Sequence, residues 1–148
     1  MDEVDKKIIN RIQDLFPIVT RPFRSIAQEL GLGETDVISR VKLLKDKGII
    51  RRIGGNFSPD RLGFFSTLCA ARVAEEKLEL FTLTVNAYSG VTHNYMRDHT
   101  YNVWFTFIAP EWEIIEENLN KISQATGVED ILNLPATHMF KISAKFKV

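Results

Sequence analysis

Three apolar stripes of helical period fill the first fifty residues, and each is cut short by a proline or a glycine. Val4, Ile8, Ile12 and Leu15 are spaced by 4, 4 and 3, one face of an amphipathic helix that Pro17 ends. Asp2, Glu3 and Asp5 stand at its start, where the helix dipole favours negative charge. A second helix is expected from about Phe23 to Leu30, entered through Pro22 and stopped at Gly31. A third is expected from about Glu34 to Lys47, with Val37, Val41 and Leu44 as its buried stripe and Gly48 as its stop. Three helices joined by such tight turns make a helix-turn-helix unit. The following IIRRIGGNFSP reads as a short β-ribbon turning at Gly54-Gly55, so the unit is expected to be winged and to occupy residues 1–60.

The second half changes period. FFSTLCAARV at 64–73 reads as a strand, and Leu78, Phe81, Val85 and Tyr88 form a helical stripe. VTHNYM at 91–96 and YNVWFTFI at 101–108 read as a hairpin around RDHT. Trp112, Ile115, Leu119 and Ile122 are a second helical stripe, closed by Gly127. The tail 138–146 alternates, with His138, Phe140, Ile142, Ala144 and Phe146 on one side. The order βαββαβ predicts an α+β chain whose residues 61–148 form a ferredoxin-like sandwich, with the boundary between Asn56 and Gly63. Its helices cover one sheet face. The other face needs a partner, a ligand or water.

Composition narrows the class. With 45% hydrophobic and 26% charged residues, a packed globular protein is expected. No apolar run reaches the length of a membrane span, and the charged N-terminus leads into no secretory core, so no membrane association is expected. A single cysteine, Cys69, excludes an internal disulfide framework or a cysteine-cluster zinc site and points to a reduced, cytoplasmic compartment. Residues 1–61 carry 12 basic against 9 acidic side chains, a weak bias for a nucleic-acid binder. The third helix opens Glu34-Thr35-Asp36, and those carboxylates repel phosphate where a recognition helix would meet the groove. No DNA-binding residue is therefore assigned, although Arg40, Lys42, Arg51 and Arg52 lie nearby. No P-loop, dinucleotide loop or Ser/His/Asp spacing is visible.

The hairpin gathers the chemistry. If RDHT closes the turn with Arg97 opposite Thr100, Tyr95 pairs with Asn102 and His93 with Trp104. His93, Tyr95, Arg97, Asn102 and Trp104 then share one face. Thr92, Asn94, Met96, Tyr101, Val103, Phe105 and Phe107 share the other, which suits packing under the helices. A one-residue slip would exchange the faces. His99 falls in the turn, and His138 alternates with apolar residues and reads as a buried histidine or a site-lining one.

The segment from VDKKIINRIQ to the FSPDRLGF at 57–64, with V-x-x-R-V-K-x-L-x-x-x-G-I-I at 37–50, resembles the Lrp/AsnC regulators over essentially the whole fold. GVTHNYMRDHTYNVWFTFIAP at 90–110 and LPATHMFKI at 134–142 resemble the signatures of siroheme decarboxylases, which share that fold, and the short chain resembles their smaller, alpha-type subunit. The resemblance implies removal of two acetate carboxyl groups from siroheme to give 12,18-didecarboxysiroheme, in alternative haem biosynthesis. It also implies a homologous beta subunit as partner and no cofactor separate from the iron tetrapyrrole substrate. On this reading Arg97 clamps a carboxylate and His93 donates a proton, or ligates the substrate iron axially. Tyr95, Asn102, Trp104 and His138 bind substrate. Two other readings stay open: an Lrp/AsnC-type DNA-binding regulator with a ligand-sensing domain, and a non-catalytic tetrapyrrole-binding partner subunit.

Overall fold

The structure, a computed structural model, describes the whole chain except Asn56 and residues 142–145; of Asp14 it describes the backbone alone. The chain divides into two compact units, Met1–Gly55 with Lys141–Val148, and Asn56–Phe140.

In the first unit α1 spans Glu3–Asp14, α2 Pro22–Leu30 and α3 Glu34–Asp46. A capping box starts α1: Asp2 accepts from the Asp5 backbone N–H and Asp5 from that of Asp2, at 2.8 and 3.0 Å. Gly31 ends α2 at φ 68°, a left-handed turn that a side chain would strain. Ile8, Ile26, Ala27, Val37, Val41 and Leu44 close the core between the three helices. Leu15 falls outside the stripe expected of it, because α1 has already ended and its side chain is exposed.

The expected ribbon over IIRRIGGNFSP forms no strand among the described residues. Its first donors are spent elsewhere: the N–H groups of Ile49 and Ile50 both bond the Leu44 carbonyl, at 2.9 and 3.1 Å, and finish α3. An isolated two-stranded ribbon has little to stabilise it once those donors are gone. Residues 146–148 run along α1 instead. The Asn10 and Gln13 side-chain amides each bond the backbone N–H and C=O of one residue, Val148 and Phe146 respectively, at 2.8–3.2 Å.

The second unit is a four-stranded antiparallel sheet under two helices. β1 is Phe65–Ala71, α4 Leu78–Asn86, β2 Val91–Met96, β3 Val103–Ala109, α5 Trp112–Thr126 and β4 Ile131–Pro135. The sheet order is β2-β3-β1-β4, the arrangement of a ferredoxin-like sandwich. Cys69, Val103, Phe105 and Phe107 on the sheet bury against Phe81 and Val85 of α4 and Ile115, Leu119 and Ile122 of α5. Each large side chain so buried contributes roughly 1.5–3 kcal/mol. Burial pushes the Cys69 thiol up to about 12, so it sits in the core as a neutral, small apolar group. Trp112 stacks on Phe65 at 5.5 Å.

The last strand is not the one expected. Ile131–Pro135 pairs with β1, Leu134 opposite Leu68, and residues 138–141 form no strand. Phe140 is 92% exposed, so the alternation from His138 is not a core face; Ile142 and Ala144 of that pattern lie outside the described residues. Ile131–Pro135 carries the edge position because its Asn133 amide oxygen meets the Thr67 hydroxyl at 2.6 Å, and Pro135 costs nothing at a strand end.

Gly90 sets the entry to β2. Its carbonyl accepts from Ile108 N–H at 2.9 Å, and a Cβ added to it would lie 2.2 Å from the Ile108 carbonyl oxygen. Gly90→Ala must push β2 off β3, and is expected to cost about 1–3 kcal/mol of unfolding free energy, read from urea melts. A loss below about 0.5 kcal/mol, the range of ordinary surface changes, would contradict the close approach.

Candidate active site

The hairpin register differs from the expected one by two residues. Tyr95 stands opposite Trp104 and His93 opposite Thr106, and the backbone N–H of Arg97 donates to the Asn102 carbonyl at 2.8 Å. The connection is therefore longer than RDHT. A shift of two preserves the alternation, so Tyr95 and Trp104 keep the face assigned to them. Val103, Phe105 and Phe107 are buried on the other face, also as expected.

A bulge between Val91 and His93 makes the second difference. It inserts Thr92 into β2 opposite Thr106, and Thr92 joins the open face rather than the covered one. The Thr92 and Thr106 hydroxyls lie 2.7 Å apart, and the His93 Nδ1 is 3.1 Å from Thr92 Oγ1 and 3.5 Å from Thr106 Oγ1.

Five side chains gather along this face. His93 and Tyr95 stack with ring centres 6.1 Å apart. Tyr95 is the cross-strand partner of Trp104. The Arg97 guanidinium carbon sits 5.7 Å from the Trp104 ring centre, a cation–π approach. Trp104 is fixed in turn by its indole N–H, which donates to the Tyr101 carbonyl at 2.6 Å. His99 packs edge-on against Trp104 at 6.5 Å. Its Nδ1 accepts the Tyr101 backbone N–H at 3.1 Å. A backbone N–H can only donate, so neutral His99 carries its proton on Nε2, ready to donate. His99, by its place in RDHT a turn residue, thus belongs to the cluster; its signal in the sequence is its spacing, two residues before Tyr101, where a ring nitrogen can cap the loop.

Asn102 behaves differently from the carboxylate partner expected of it. Its amide accepts from Val73 N–H at 2.9 Å and donates to the Val73 carbonyl at 2.8 Å. It staples the end of β3 to the chain leaving β1 and so braces the Arg97–Asn102 loop. Tyr101, expected on the apolar face, donates its hydroxyl to Asp130 at 3.0 Å, which raises its phenol pKa, and Arg72 pairs with the other Asp130 oxygen. Met96 lies exposed at the sheet edge, and Asn94 bonds Asn86 at 2.9 Å. His138 is exposed and packs on Phe140 at 4.7 Å; it is neither buried nor joined to the hairpin cluster by any contact among the described residues. No three His, Cys, Asp or Glu side chains converge as a metal site among the described residues.

Leu68 of β1 and Leu132 and Leu134 of β4 continue the open face, each 36–40% exposed. The face thus pairs a polar, aromatic end with an apolar end.

Residues 5–51 match the helix-turn-helix domain of NirDL-like siroheme decarboxylases, and residues 61–141 match the AsnC-like ligand-binding domain. Over 148 residues, all of this chain and 90% of the other, the chain is 51% identical to the siroheme decarboxylase alpha subunit of Oleidesulfovibrio alaskensis. The chain belongs to the siroheme decarboxylase family. A crystal structure of the siroheme decarboxylase NirDL in co-complex with an iron-uroporphyrin III analogue aligns at TM-score 0.69 and 33% identity over 97% of this chain. This chain covers 48% of that one, about half its length. An AsnC family transcriptional regulator from Agrobacterium tumefaciens aligns at TM-score 0.79 over 99% of this chain and 96% of its own, but at 19% identity it shares the fold alone.

In this siroheme decarboxylase relative two arginines of the helix-turn-helix are paired with its own carboxylates. Arg40 of α3 bonds Asp2 and Asp5, both at 2.8 Å, and Asp36 at 3.2 Å. The reciprocal backbone bonds of the capping box, and then Arg40, hold the Asp2 and Asp5 carboxyls below the usual range. Arg21 pairs with Glu34. Among the described residues no helix is long and apolar enough to cross a membrane.

Proposed function

We propose that this chain is a subunit of a siroheme decarboxylase, converting siroheme to 12,18-didecarboxysiroheme by removing two acetate carboxyl groups in alternative haem biosynthesis. The observation that carries the reading is the placement of Arg97, His93 and His99 around the Tyr95–Trp104 pair on one exposed face. Siroheme is flat, carries many carboxylates and holds iron. Flat rings suit the macrocycle, and a fixed guanidinium suits a carboxylate. His93 Nε2 has no protein partner among the described residues, which leaves it to the substrate.

The chemistry asked of these side chains is limited. An acetate arm loses its carboxylate when the bond between the methylene and carboxyl carbons breaks and carbon dioxide leaves. The electron pair stays on the methylene carbon and takes up one proton, giving a methyl group. Arg97 orients the arms, and His93 supplies the proton from Nε2. Axial ligation of the substrate iron is the other role an imidazole could take there, and it would remove His93 from proton delivery.

A homologous beta subunit supplies the wall this open face lacks. Leu68, Leu132 and Leu134 are an apolar patch that a paired sheet would bury, in a pseudo-symmetric dimer of the ferredoxin-like units. Anaerobic incubation with siroheme, with and without the co-expressed partner, tests the whole reading. Loss of two carbon dioxide masses by the complex supports it. An intact substrate with both subunits present overturns it, and full turnover by the partner alone would reduce this chain to a non-catalytic tetrapyrrole-binding subunit.

DNA binding is not part of the proposal. Counterion release from phosphates carries most non-specific affinity, and Arg40 is already committed to three carboxylates. Electrophoretic shift with the gene's own upstream duplex is expected to show no sequence-specific complex at physiological salt, up to micromolar protein. A nanomolar footprint would restore the regulator reading.

A further inference from the structure

The bulge in β2 does more than adjust the register. In an unbulged strand Thr92 and His93 would point to opposite faces. The extra residue brings the Thr92 hydroxyl onto the face of His93, 2.7 Å from the Thr106 hydroxyl that stands across the ladder. Both hydroxyls then meet the same ring atom, Nδ1, at 3.1 and 3.5 Å.

We infer that Thr92 and Thr106 are positioning residues that hold His93 by its Nδ1 and present Nε2 to the substrate. The inference deepens the proposed function and rests on its assignment of work to His93. In the imidazolium, Nδ1–H donates to Thr92 Oγ1, and the Thr92 and Thr106 hydroxyls share a hydrogen bond between them. The remaining N–H, at Nε2, is the one exposed to a ligand. When that proton leaves, the same two bonds keep the ring in its Nδ1–H form with the Nε2 lone pair facing outward. Either role of His93 therefore runs through Nε2. The hydroxyl pair stands where a carboxylate or a carbonyl stands beside many metal-binding and catalytic histidines and fixes the ring angle; a hydroxyl also donates, so the Nδ1–H form is the one in which Thr92 accepts.

Valine matches threonine in shape and strand preference but lacks the hydroxyl, so the double variant Thr92→Val/Thr106→Val in the complete two-subunit complex is the test. Siroheme turnover is expected to show kcat down about tenfold, the equivalent of ~1.4 kcal/mol, with KM within about twofold of wild type. Nitrogen-15 NMR of histidine-labelled complex is expected to show one His93 tautomer in the wild type and a mixture in the double variant. The serine pair, Thr92→Ser/Thr106→Ser, is expected to restore both. A valine pair with wild-type kcat and a single tautomer, in a complex that His93→Ala inactivates, overturns the inference. So does a serine pair that behaves like the valine pair. If His93→Ala itself keeps full rate, the work assigned to His93 fails instead, and the tautomer measurement still decides the hydroxyl pair on its own.

Discussion

His93→Ala, in the assembled two-subunit enzyme, is expected to lower siroheme turnover by roughly 10²–10⁴-fold, the range that general acid catalysis supplies. The ring is exposed, and among the described residues its hydrogen bonds and ring contact are with Thr92, Thr106 and Tyr95, so its removal leaves the core of the sandwich intact. Steady-state rates by product mass, alongside a thermal melt, separate the two effects: the rate falls and the melting temperature stays. A wild-type rate would move the proton donor to the partner subunit. If the substrate iron were the target of His93, the siroheme absorption spectrum would shift in the variant while turnover persisted.

Arg97→Ala is expected to act on binding as well as on rate. A hydrogen bond to a charged group contributes about 1.5–3 kcal/mol, and a bidentate clamp on a substrate carboxylate would lose roughly 10–100-fold in affinity, since each 1.4 kcal/mol is tenfold. Titration with iron-uroporphyrin III under anaerobic conditions measures this without turnover. Arg97→Lys should recover only part of it, because a point charge cannot make the planar fork. Unchanged affinity in both variants would place carboxylate recognition elsewhere. The Trp104 ring beneath the guanidinium gives a second readout, since loss of the cation at 5.7 Å changes the indole's surroundings.

The helices were legible because the chain punctuates them: Asp2 and Asp5 at the start of α1, Pro22 at α2, Gly31 and Gly127 at the stops. β3 was legible because its covered face alternates without a break, and β1 because it is a short, largely apolar run. β4 was not, for a physical reason. Its five residues hold an asparagine that bonds within the sheet and a proline at the end, while the tail beyond it alternates more regularly yet leaves Phe140 and Phe146 exposed. The hairpin faces survived a misjudged turn because the error was an even number of residues. Thr92 moved to the other face because nothing in a residue pattern announces a bulge. His99 and Asn102 exchange significance: the residue pattern puts one in a turn, and it lies against Trp104; it makes the other a partner for carboxylates, and that amide is spent on Val73.

That amide has a polarity of its own. Asn102 imitates a peptide unit, offering one acceptor and one donor to the N–H and C=O of Val73. Aspartate has the same outline and the wrong complement, for it would set a lone pair against the Val73 carbonyl. The hairpin loop is thus guarded by a single nitrogen atom, and Asn102→Asp, which replaces only that atom by oxygen, would loosen the chain at the base of Arg97.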